Sequence, residues 1–515
     1  MQEQHYDAII IGAGLGGLLS AAQLLQRGKR VVVLERLPHC GGRFTAKTFH
    51  GVQVSTGAVH MLPFGSSGVL ARMLRRLQVP HRLFDADVFG SFHVHGKQIR
   101  ARGLLGAFKF LGPRQFFWFA RMGYLMFLRP LPARERDLPF STWLDRHLDV
   151  KRNRELATFF ACISRFALSL ELDQVSTAEV IETCLNMFSY GAPGIVEGGC
   201  GTLSGELERH ILAQGADLRL RQDVMQILHE DEQITGVRGR DKASGAEVCF
   251  YAPLVVSDIG PRATDALLEN RQITQAAVLK QQQGRSAVTF ADLDEVSGDQ
   301  DTHNIIPEAV GLKVHLLSDI SLIPHKGIMY CLDTQRIAGM VQPTNCDPSL
   351  APPGKHLLIS HQVIQSNNIE EEKALALADL RLLFGGDAFE QHCHILTMST
   401  YRGEWPVNRI AQGADVSPST RLHGLYLVGD AVKPSGYLMV EGVAQSVNHF
   451  LDLLTSSEQG PADTAPEAPH PHKRDRGKLP RWKREKQAAR YVIPPPSRLN
   501  ALRWLWQAPG NSGKS

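Results

Sequence analysis

The stretch Tyr6-Asp7-Ala8-Ile9-Ile10-Ile11-Gly12-Ala13-Gly14-Leu15-Gly16-Gly17 decides the fold of this chain. Its apolar run over 8–11 is too short for anything but a buried parallel strand. Gly12 then lets the chain turn sharply, Gly14 lets the backbone approach a pyrophosphate without a Cβ in the way, and Gly17 lets the next helix pack close to the sheet. The spacing therefore predicts a dinucleotide phosphate beside this turn.

The residues after the turn extend it into a strand–helix–strand unit. The pattern predicts a helix over 18–26, stopped by Gly28, whose N-terminal N–H groups and dipole would face the phosphates. A second apolar run over 31–34 predicts another buried strand. This strand ends in Glu35, a carboxylate placed to accept hydrogen bonds from a ribose diol, and Arg36 follows as a further cofactor-binding candidate.

Length and composition narrow the class of protein. At 515 residues the chain exceeds one typical core, so we expect two domains, and 43% hydrophobic with 21% charged residues is typical of a folded globular protein. The net charge of +4 is too small to imply specific nucleic-acid binding. Eight cysteines without a CxxC pair or metal-ligand spacing predict reduced thiols, no metal site and a cytoplasmic location. We also expect neither a secretory signal nor a membrane span.

Two further motifs bear on which dinucleotide is bound. The run 40–45, Cys-Gly-Gly-Arg-Phe-Thr, contains Gly42, which keeps the backbone low, and Arg43, whose guanidinium can bond phosphate oxygens. Far along the chain, 424–431 reads as a buried strand that finishes in Gly429 and Asp430. Gly429 permits close approach to a ligand, and Asp430 can bond a ribityl hydroxyl or a phosphate-bound water. The alternative is that Asp430 only caps a helix.

The last helix is predicted over 438–454 by its amphipathic pattern. Its start contains Gly442 and Val443, and the backbone N–H groups there would point at the pyrimidine edge of a flavin, where negative charge accumulates on reduction. With Arg43 and Asp430, this arrangement favours FAD over NAD.

Together these motifs resemble the flavin-containing amine oxidase superfamily, and within it the branch of phytoene desaturases, carotenoid isomerases and retinol saturases. The run 194–203 is similar to that family's P-x-G-G-x-x-x-L element, with Val196 in place of the proline. Residues 221–224 resemble the segment in which a valine backbone, here that of Val224, contacts the adenine. The region 433–437 has no cysteine, so the resemblance implies FAD held non-covalently.

The motif order predicts an α/β fold in which a discontinuous, Rossmann-like FAD-binding domain carries an inserted α+β substrate domain. The FAD-binding domain is expected from 1–70, 193–262 and 408–455, the substrate domain from 71–192 and 263–407, and a disordered linker with a basic tail from 456–515. Within the second insertion, alternating apolar residues over 310–316 predict its clearest strand.

Part of the first insertion has an unusual composition. From Val88 to Arg134 there is no Asp or Glu, whereas eight Lys and Arg residues alternate with many aromatic and apolar ones. This pattern suits a helix that rests on anionic lipid, so we expect peripheral membrane contact through 100–130 and through the basic tail, without specific nucleic-acid binding. The alternative is a core helix whose arginines reach solvent.

The chemistry implied by the resemblance is hydride exchange between FAD and the C–C/C=C bonds of a hydrophobic isoprenoid, in a desaturase, saturase or isomerase. An amine or porphyrinogen oxidase is the alternative, and a non-catalytic binder of prenylated proteins, like the GDP-dissociation inhibitors, is a third. The catalytic residues are unknown. His60 is a candidate for proton transfer, and the alternative is that it is a hydrogen-bonded structural histidine. Candidates for an aromatic cage are Tyr401, Trp405 and Tyr437.

Overall fold

The computed structural model describes residues 2–57, 59–87, 90–94, 96–100, 116–268, 309–404 and 417–458. In chain order, the strands of these residues are β1 (Gln2–His5), β2 (Ala8–Ile11), β3 (Val31–Glu35), β4 (Ala46–Phe49), β5 (Val52–Ser55), β6 (Met61–Leu62), β7 (Leu83–Asp85), β8 (Gly90–Val94), β9 (Lys97–Arg100), β10 (Gly194–Val196), β11 (Asp217–Leu220), β12 (Gln222–Glu230), β13 (Gln233–Asp241), β14 (Glu247–Tyr251), β15 (Val255–Ser257), β16 (Ala309–Ser318), β17 (Ile328–Cys331), β18 (Gly339–Val341), β19 (His356–Val363), β20 (Cys393–Glu404) and β21 (Leu425–Leu427).

The α-helices of the same residues are α1 (Leu15–Gln26), α2 (Val69–Leu77), α3 (116–123), α4 (Ala133–Arg136), α5 (Phe140–His147), α6 (Arg154–Ile163), α7 (Thr177–Tyr190), α8 (Gly199–Ala213), α9 (Pro261–Asp265), α10 (Ile369–Phe384), α11 (Gly386–His392) and α12 (Met439–Glu458). Two of them run on as π-helices, α3 into Tyr124–Leu128 and α6 into Ser164–Leu168. Among the described helices, none is long and apolar enough to cross a bilayer.

A five-stranded parallel sheet, in the order β11-β3-β2-β15-β21, confirms the predicted α/β fold class. Its strands come from three separate parts of the chain, and those predicted over 8–11 and 31–34 lie in it. Helix α1 begins at Leu15, three residues before the predicted start, because Gly16 and Gly17 already have helical geometry. At the other end, α12 continues to Glu458, beyond the predicted end of the last helix.

Both faces of the parallel sheet are covered, which explains why its strands are apolar without alternation. Ile10 and Val33 pack on one side in a core shared with α1, α2, α8 and α12. Ile9 and Val32 pack on the other side in a second core, against the sheet β1-β14-β13-β12. The result is three layers: helices, the parallel sheet and a mostly antiparallel sheet.

A second large sheet, in the order β20-β16-β19-β18-β17-β8-β9, is built from residues of both predicted insertions. The predicted strand over 310–316 is β16, which pairs with β19 and β20. Both of its faces are buried: Leu312 and Val314 lie in an apolar core, and the alternate residues Lys313 and His315 are also enclosed. The exact domain boundaries stay a prediction, and the tail from 459 onward lies outside the described residues.

Candidate functional site

The Gly-rich turn between β2 and α1 has the geometry that its glycines predict. Gly12 has a φ of +94°, which favours glycine, and a Cβ on Gly17 would lie 2.0 Å from the Gly12 carbonyl oxygen. Gly14 is the N-cap of α1 and has no side chain of its own to cap the helix, and the first turn has no acidic residue. The positively polarised N-terminal end of a helix is a ready site for an anion.

Glu35 at the end of β3 holds the turn in place. One carboxylate oxygen accepts a hydrogen bond from the backbone N–H of Ala13 and the other from that of Leu37, both at 2.8 Å. The predicted contact of Glu35 with a ribose stays a prediction, and the structure adds this structural role. The neighbouring Arg36 is exposed.

The Gly-Gly-Arg loop lies directly against the turn. The N–H of Gly41 donates to the carbonyl of Ala13 at 2.8 Å, and a Cβ on Gly42 would lie 3.4 Å from the Cα of Gly14. Beyond the loop, the Arg43 guanidinium lies 2.6 Å from the carboxylate of Asp430, which is 387 positions away in the sequence. The fold therefore brings the N-terminal and C-terminal motifs to one place.

The C-terminal motif is held by a residue that the sequence reasoning missed. Gly429 has a φ of +107°, and its N–H donates to Ser446 Oγ at 2.9 Å. Ser446 in turn donates to the carbonyl of Val443 on α12 at 2.7 Å. Close packing explains Gly442, because a Cβ there would lie 2.5 Å from Lys433 Cδ.

Asp258, which directly follows β15, was also missed. Its side chain is half-buried, and the carboxylate accepts a hydrogen bond from the N–H of Gly17 at 2.9 Å. Burial, together with the charges of Asp430 and Glu35, raises the pKa of Asp258 to about 7 against the opposing effects of the Gly17 N–H and Arg43. The position carries a sequence signal, because ligands bind at the carboxyl ends of parallel strands.

These residues fit the pyrophosphate of a dinucleotide. The helix end offers backbone N–H donors, of which that of Gly17 is bonded to Asp258. The glycines leave room for close approach, and Arg43 supplies a cation beside the turn. Val224 lies on β12 at a bulge and packs on the second core; its contact with the adenine stays a prediction.

His60 is fully buried, and its ring is bonded to backbone on both sides. Nε2 lies 2.7 Å from the carbonyl of Gln53, and Nδ1 accepts from the N–H of Cys200 at 3.1 Å. Burial lowers the pKa of His60 to about 4, so the ring is neutral and its proton stays on Nε2. This geometry favours the structural role over proton transfer. The carbonyl of His60 also accepts from Val196 N–H, which a proline at 196 would lack.

A buried lysine beside this segment was not identified from the sequence. Lys313 Nζ donates to the carbonyls of Thr56 and Gly57, each at 2.8 Å, and burial lowers the pKa of Lys313 to about 8. Two histidines share its surroundings. Burial, with Lys313 adding to the effect, lowers the pKa of His315 to about 3 and that of His361 to about 4. Both imidazoles are therefore neutral.

Of the three candidates for an aromatic cage, Tyr437 has a described side chain. Its ring packs edge-on to Phe64 at 6.4 Å, and Phe64 stacks on Tyr190 at 4.8 Å. The side chains of Tyr401 and Trp405 lie outside the described residues, so the cage stays a prediction. All eight cysteines are free thiols, and burial raises the pKa of Cys393, which disfavours a reactive thiolate there.

Comparison with known proteins identifies relatives along most of the chain. Residues 10–77 match the NAD(P)-binding Rossmann-like domain family. An uncharacterized protein of Methanocaldococcus jannaschii is 30% identical over 448 residues, 87% of this chain and 99% of its own length. A chloroplastic prolycopene isomerase of Daucus carota is 22% identical over 434 residues, 73% of this chain and 64% of the carrot protein.

Solved structures agree with this grouping. An oxidoreductase from Methanosarcina mazei has 32% sequence identity and a TM-score of 0.72, over 87% of this chain and 100% of the other. A putrescine oxidase, at 16% identity and a TM-score of 0.58 over 88% and 100% of the two chains, shares the fold. With its dinucleotide site, this chain therefore belongs to one family with the Methanocaldococcus jannaschii protein and the Methanosarcina mazei oxidoreductase, shares its fold with flavin-containing amine oxidases and has a carotenoid isomerase as a more distant relative.

Proposed function

We propose that this protein is an FAD-dependent oxidoreductase that acts on the C–C/C=C bonds of a hydrophobic isoprenoid, such as a carotenoid or a retinoid. FAD, held non-covalently, is supported by the pairing of Arg43 with Asp430 and by the start of α12 beside Gly429. When bound, the flavin supplies a hydride acceptor or donor. The chain's own residues then orient the substrate and exclude water.

The observation that carries this proposal is the charge of the buried polar cluster on β16 and β19. It consists of the neutral imidazoles of His315 and His361 around the amino group of Lys313. The carboxylate of Asp347, whose charge acts on His60, accepts hydrogen bonds from backbone N–H groups, such as that of Gly198 at 2.6 Å. A cationic amine bound beside this cluster would need a carboxylate partner, whereas an uncharged polyene would not.

A series of aromatic side chains supports the proposal that the substrate is hydrophobic. They follow one another from α3 to the seven-stranded sheet, with ring centroids in contact range. The successive pairs are Phe119–Phe159 at 6.4 Å, Phe159–Phe92 at 5.1 Å, Phe92–Tyr330 at 5.4 Å and Tyr330–Phe166 at 5.7 Å. A polyene delocalises the charge that hydride loss creates. The reaction therefore requires that the substrate be oriented in apolar surroundings, and it requires few catalytic side chains.

The test is anaerobic incubation of the purified yellow protein with a panel of polyenes, followed by mass and visible spectra. Loss of two hydrogens with a red shift identifies a desaturase, a gain of two with a blue shift a saturase, and unchanged mass with altered retention an isomerase. An Arg43→Ala preparation without bound flavin is the matched control and is expected to convert nothing.

Two outcomes would contradict the proposal. If no polyene reacts and an amine or a porphyrinogen reduces the flavin instead, the protein is an oxidase of the alternative kind. If the purified protein is colourless, does not take up added FAD and binds prenylated peptides, it is a binding protein like the GDP-dissociation inhibitors.

A further inference from the structure

The helix formed by α3 and its π-helical continuation, residues 116–128, is apolar on two opposite sides. Met122, Leu125 and Met126 are buried in the core next to the parallel sheet. On the other side, Phe117 is 65% exposed, Tyr124 57% and Leu128 43%. Soluble monomers rarely expose large apolar side chains in a contiguous group, and such groups mark interaction sites.

The exposed residues recur at helical spacing and form one surface, which we call the aromatic face: Phe117, Ala120, Arg121, Tyr124 and Leu128. The π-helix begins at Tyr124, and π-helical turns often occur at functional sites. Three of the ten large hydrophobic side chains that are exposed among the described residues belong to this face. Chance scatter over the surface would not concentrate them on one short helix.

The charged residue on the aromatic face is basic, and the surrounding sequence is basic as well. Arg121 lies within the face, with its guanidinium 5.8 Å from the Trp118 ring centre, and the chain from Val88 to Arg134 has no acidic residue. Aromatic and aliphatic residues with basic partners match the interface of an anionic bilayer. A two-fold dimer with its axis at the centre of this face would bring Arg121 against Arg121 of the second copy, which like-charge repulsion disfavours.

We propose that the aromatic face docks on the surface of an anionic lipid bilayer, with Phe117, Tyr124 and Leu128 inserted among the lipids and Arg121 at the headgroups. Phe119 lies on the same helix and begins the series of aromatic contacts that leads towards the seven-stranded sheet. A lipid-soluble substrate would therefore leave the bilayer beside this series. That last link rests on the proposed function, but the docking itself does not.

The test places an environment-sensitive fluorophore on the face of the full-length holoprotein. The variant Ala120→Cys accepts the label at an exposed position, and the native cysteines are buried or half-buried. We expect its emission to shift to the blue with phosphatidylglycerol vesicles, and much less with phosphatidylcholine vesicles or at high salt. The matched control is Leu382→Cys, which is 58% exposed on α10 and should remain in water.

A second variant set measures the energetic role of the face. Phe117→Ser, Tyr124→Ser and Leu128→Ser together are expected to lower the vesicle partition coefficient on the order of a hundredfold. If this triple variant does not fold, the emission of the label at position 120 alone tests the proposal. Protein that pellets with vesicles while that label stays in water would assign membrane binding to the basic tail. A blue shift that grows with protein concentration in the absence of lipid would indicate a second copy, and either result overturns the proposal.

Discussion

At the scale of single residues, the dinucleotide site has an unusual balance of charge. Asp258 and Asp430 both lie beside the place where a pyrophosphate fits, and Arg43 is the cation that faces them. Two carboxylates and a phosphate repel one another, so ligand binding must be coupled to protonation. Asp258 is the residue that we expect to take up a proton when the ligand binds, because burial already raises its pKa to about 7.

The first prediction concerns Asp258 and pH. Binding of an anionic dinucleotide should raise the pKa of Asp258 further, so FAD affinity should fall as the pH rises through about 7. Asp258→Asn keeps an oxygen that accepts from Gly17 N–H but cannot ionise. We expect its FAD affinity to vary little with pH and to exceed that of the parent by roughly tenfold at high pH. Titration of apoprotein by flavin fluorescence measures both, with the exposed Asp387→Asn as control, and an unchanged pH profile would refute the assignment.

The second prediction concerns the pair of Arg43 and Asp430. Arg43→Ala should weaken FAD binding roughly tenfold to a hundredfold, because it removes a charge-assisted contact and leaves Asp430 without its cation. Arg43→Lys should recover part of the affinity, since the charge remains but the planar fork is lost. Calorimetric titration of each variant measures the change. The surface substitution Arg209→Ala on α8 is the control and should leave the affinity as it was.

At the scale of secondary-structure elements, one helix is capped by a side chain from another. Gly68 begins α2 without a capping side chain of its own, and Glu441 of α12 accepts from the N–H of Leu70 at 2.9 Å and of Phe64 at 3.4 Å. Burial raises the pKa of Glu441 to about 7 against the opposing effect of these N–H groups. Glu441 therefore joins the C-terminal helix to the N-terminal part of the chain.

The third prediction follows from this cap. Glu441→Ala leaves the buried N–H of Leu70 without an acceptor and should lower the unfolding free energy by about 2–3 kcal/mol. Glu441→Gln keeps an acceptor and should cost less. Because the folded-state pKa lies above the usual 4.5, the parent should lose stability relative to Glu441→Gln as the pH rises from about 4.5 to 7, and not above. Urea unfolding at several pH values checks this, with Glu458→Gln on the same helix as control.

The regular elements were largely predictable from the sequence. Buried strands and amphipathic helices have local periodicities, so β2, β3, β16 and α12 were found within a few residues. Their boundaries were less predictable, as at Leu15, because glycine propensity argues against a helix that tertiary packing stabilises. The role of Lys313 on β16 was missed because its burial, too, depends on tertiary packing. A lysine on a strand usually faces solvent, and Lys313 is buried by a layer that its local sequence does not reveal.

At the scale of the whole molecule, Lys313 connects the seven-stranded sheet with the dinucleotide loops. Its Nζ holds the carbonyls of Thr56 and Gly57, and the Thr56 hydroxyl donates to the carbonyl of Arg43 at 3.1 Å. A Cβ on Gly57 would lie 2.3 Å from that same carbonyl oxygen. The seven-stranded sheet and the residue that supplies the cation at the dinucleotide site are therefore joined by two successive hydrogen bonds through Thr56.

The fourth prediction tests this connection. Lys313→Met removes both donors, so we expect the unfolding free energy to fall by about 2–4 kcal/mol and FAD binding to weaken as the Arg43 loop loosens. Differential scanning calorimetry and flavin titration measure the two effects. Lys355→Met removes a surface lysine that pairs with Asp319 and should change neither. A Lys313→Met protein with parental stability and affinity would show that the two sides are not coupled.

The sequence alone determined that this chain has a parallel α/β sheet with the glycine turn of a dinucleotide site. Glycine spacing, short apolar runs and the carboxylate after a strand act over a few residues, so they are visible without the fold. Only the tertiary structure decided which polar side chains complete the site. The role of an enclosed polar side chain depends on the charges and hydrogen bonds that surround it. The partners of these side chains are distant in the sequence, as they are for Asp258, Ser446, Glu441 and Lys313.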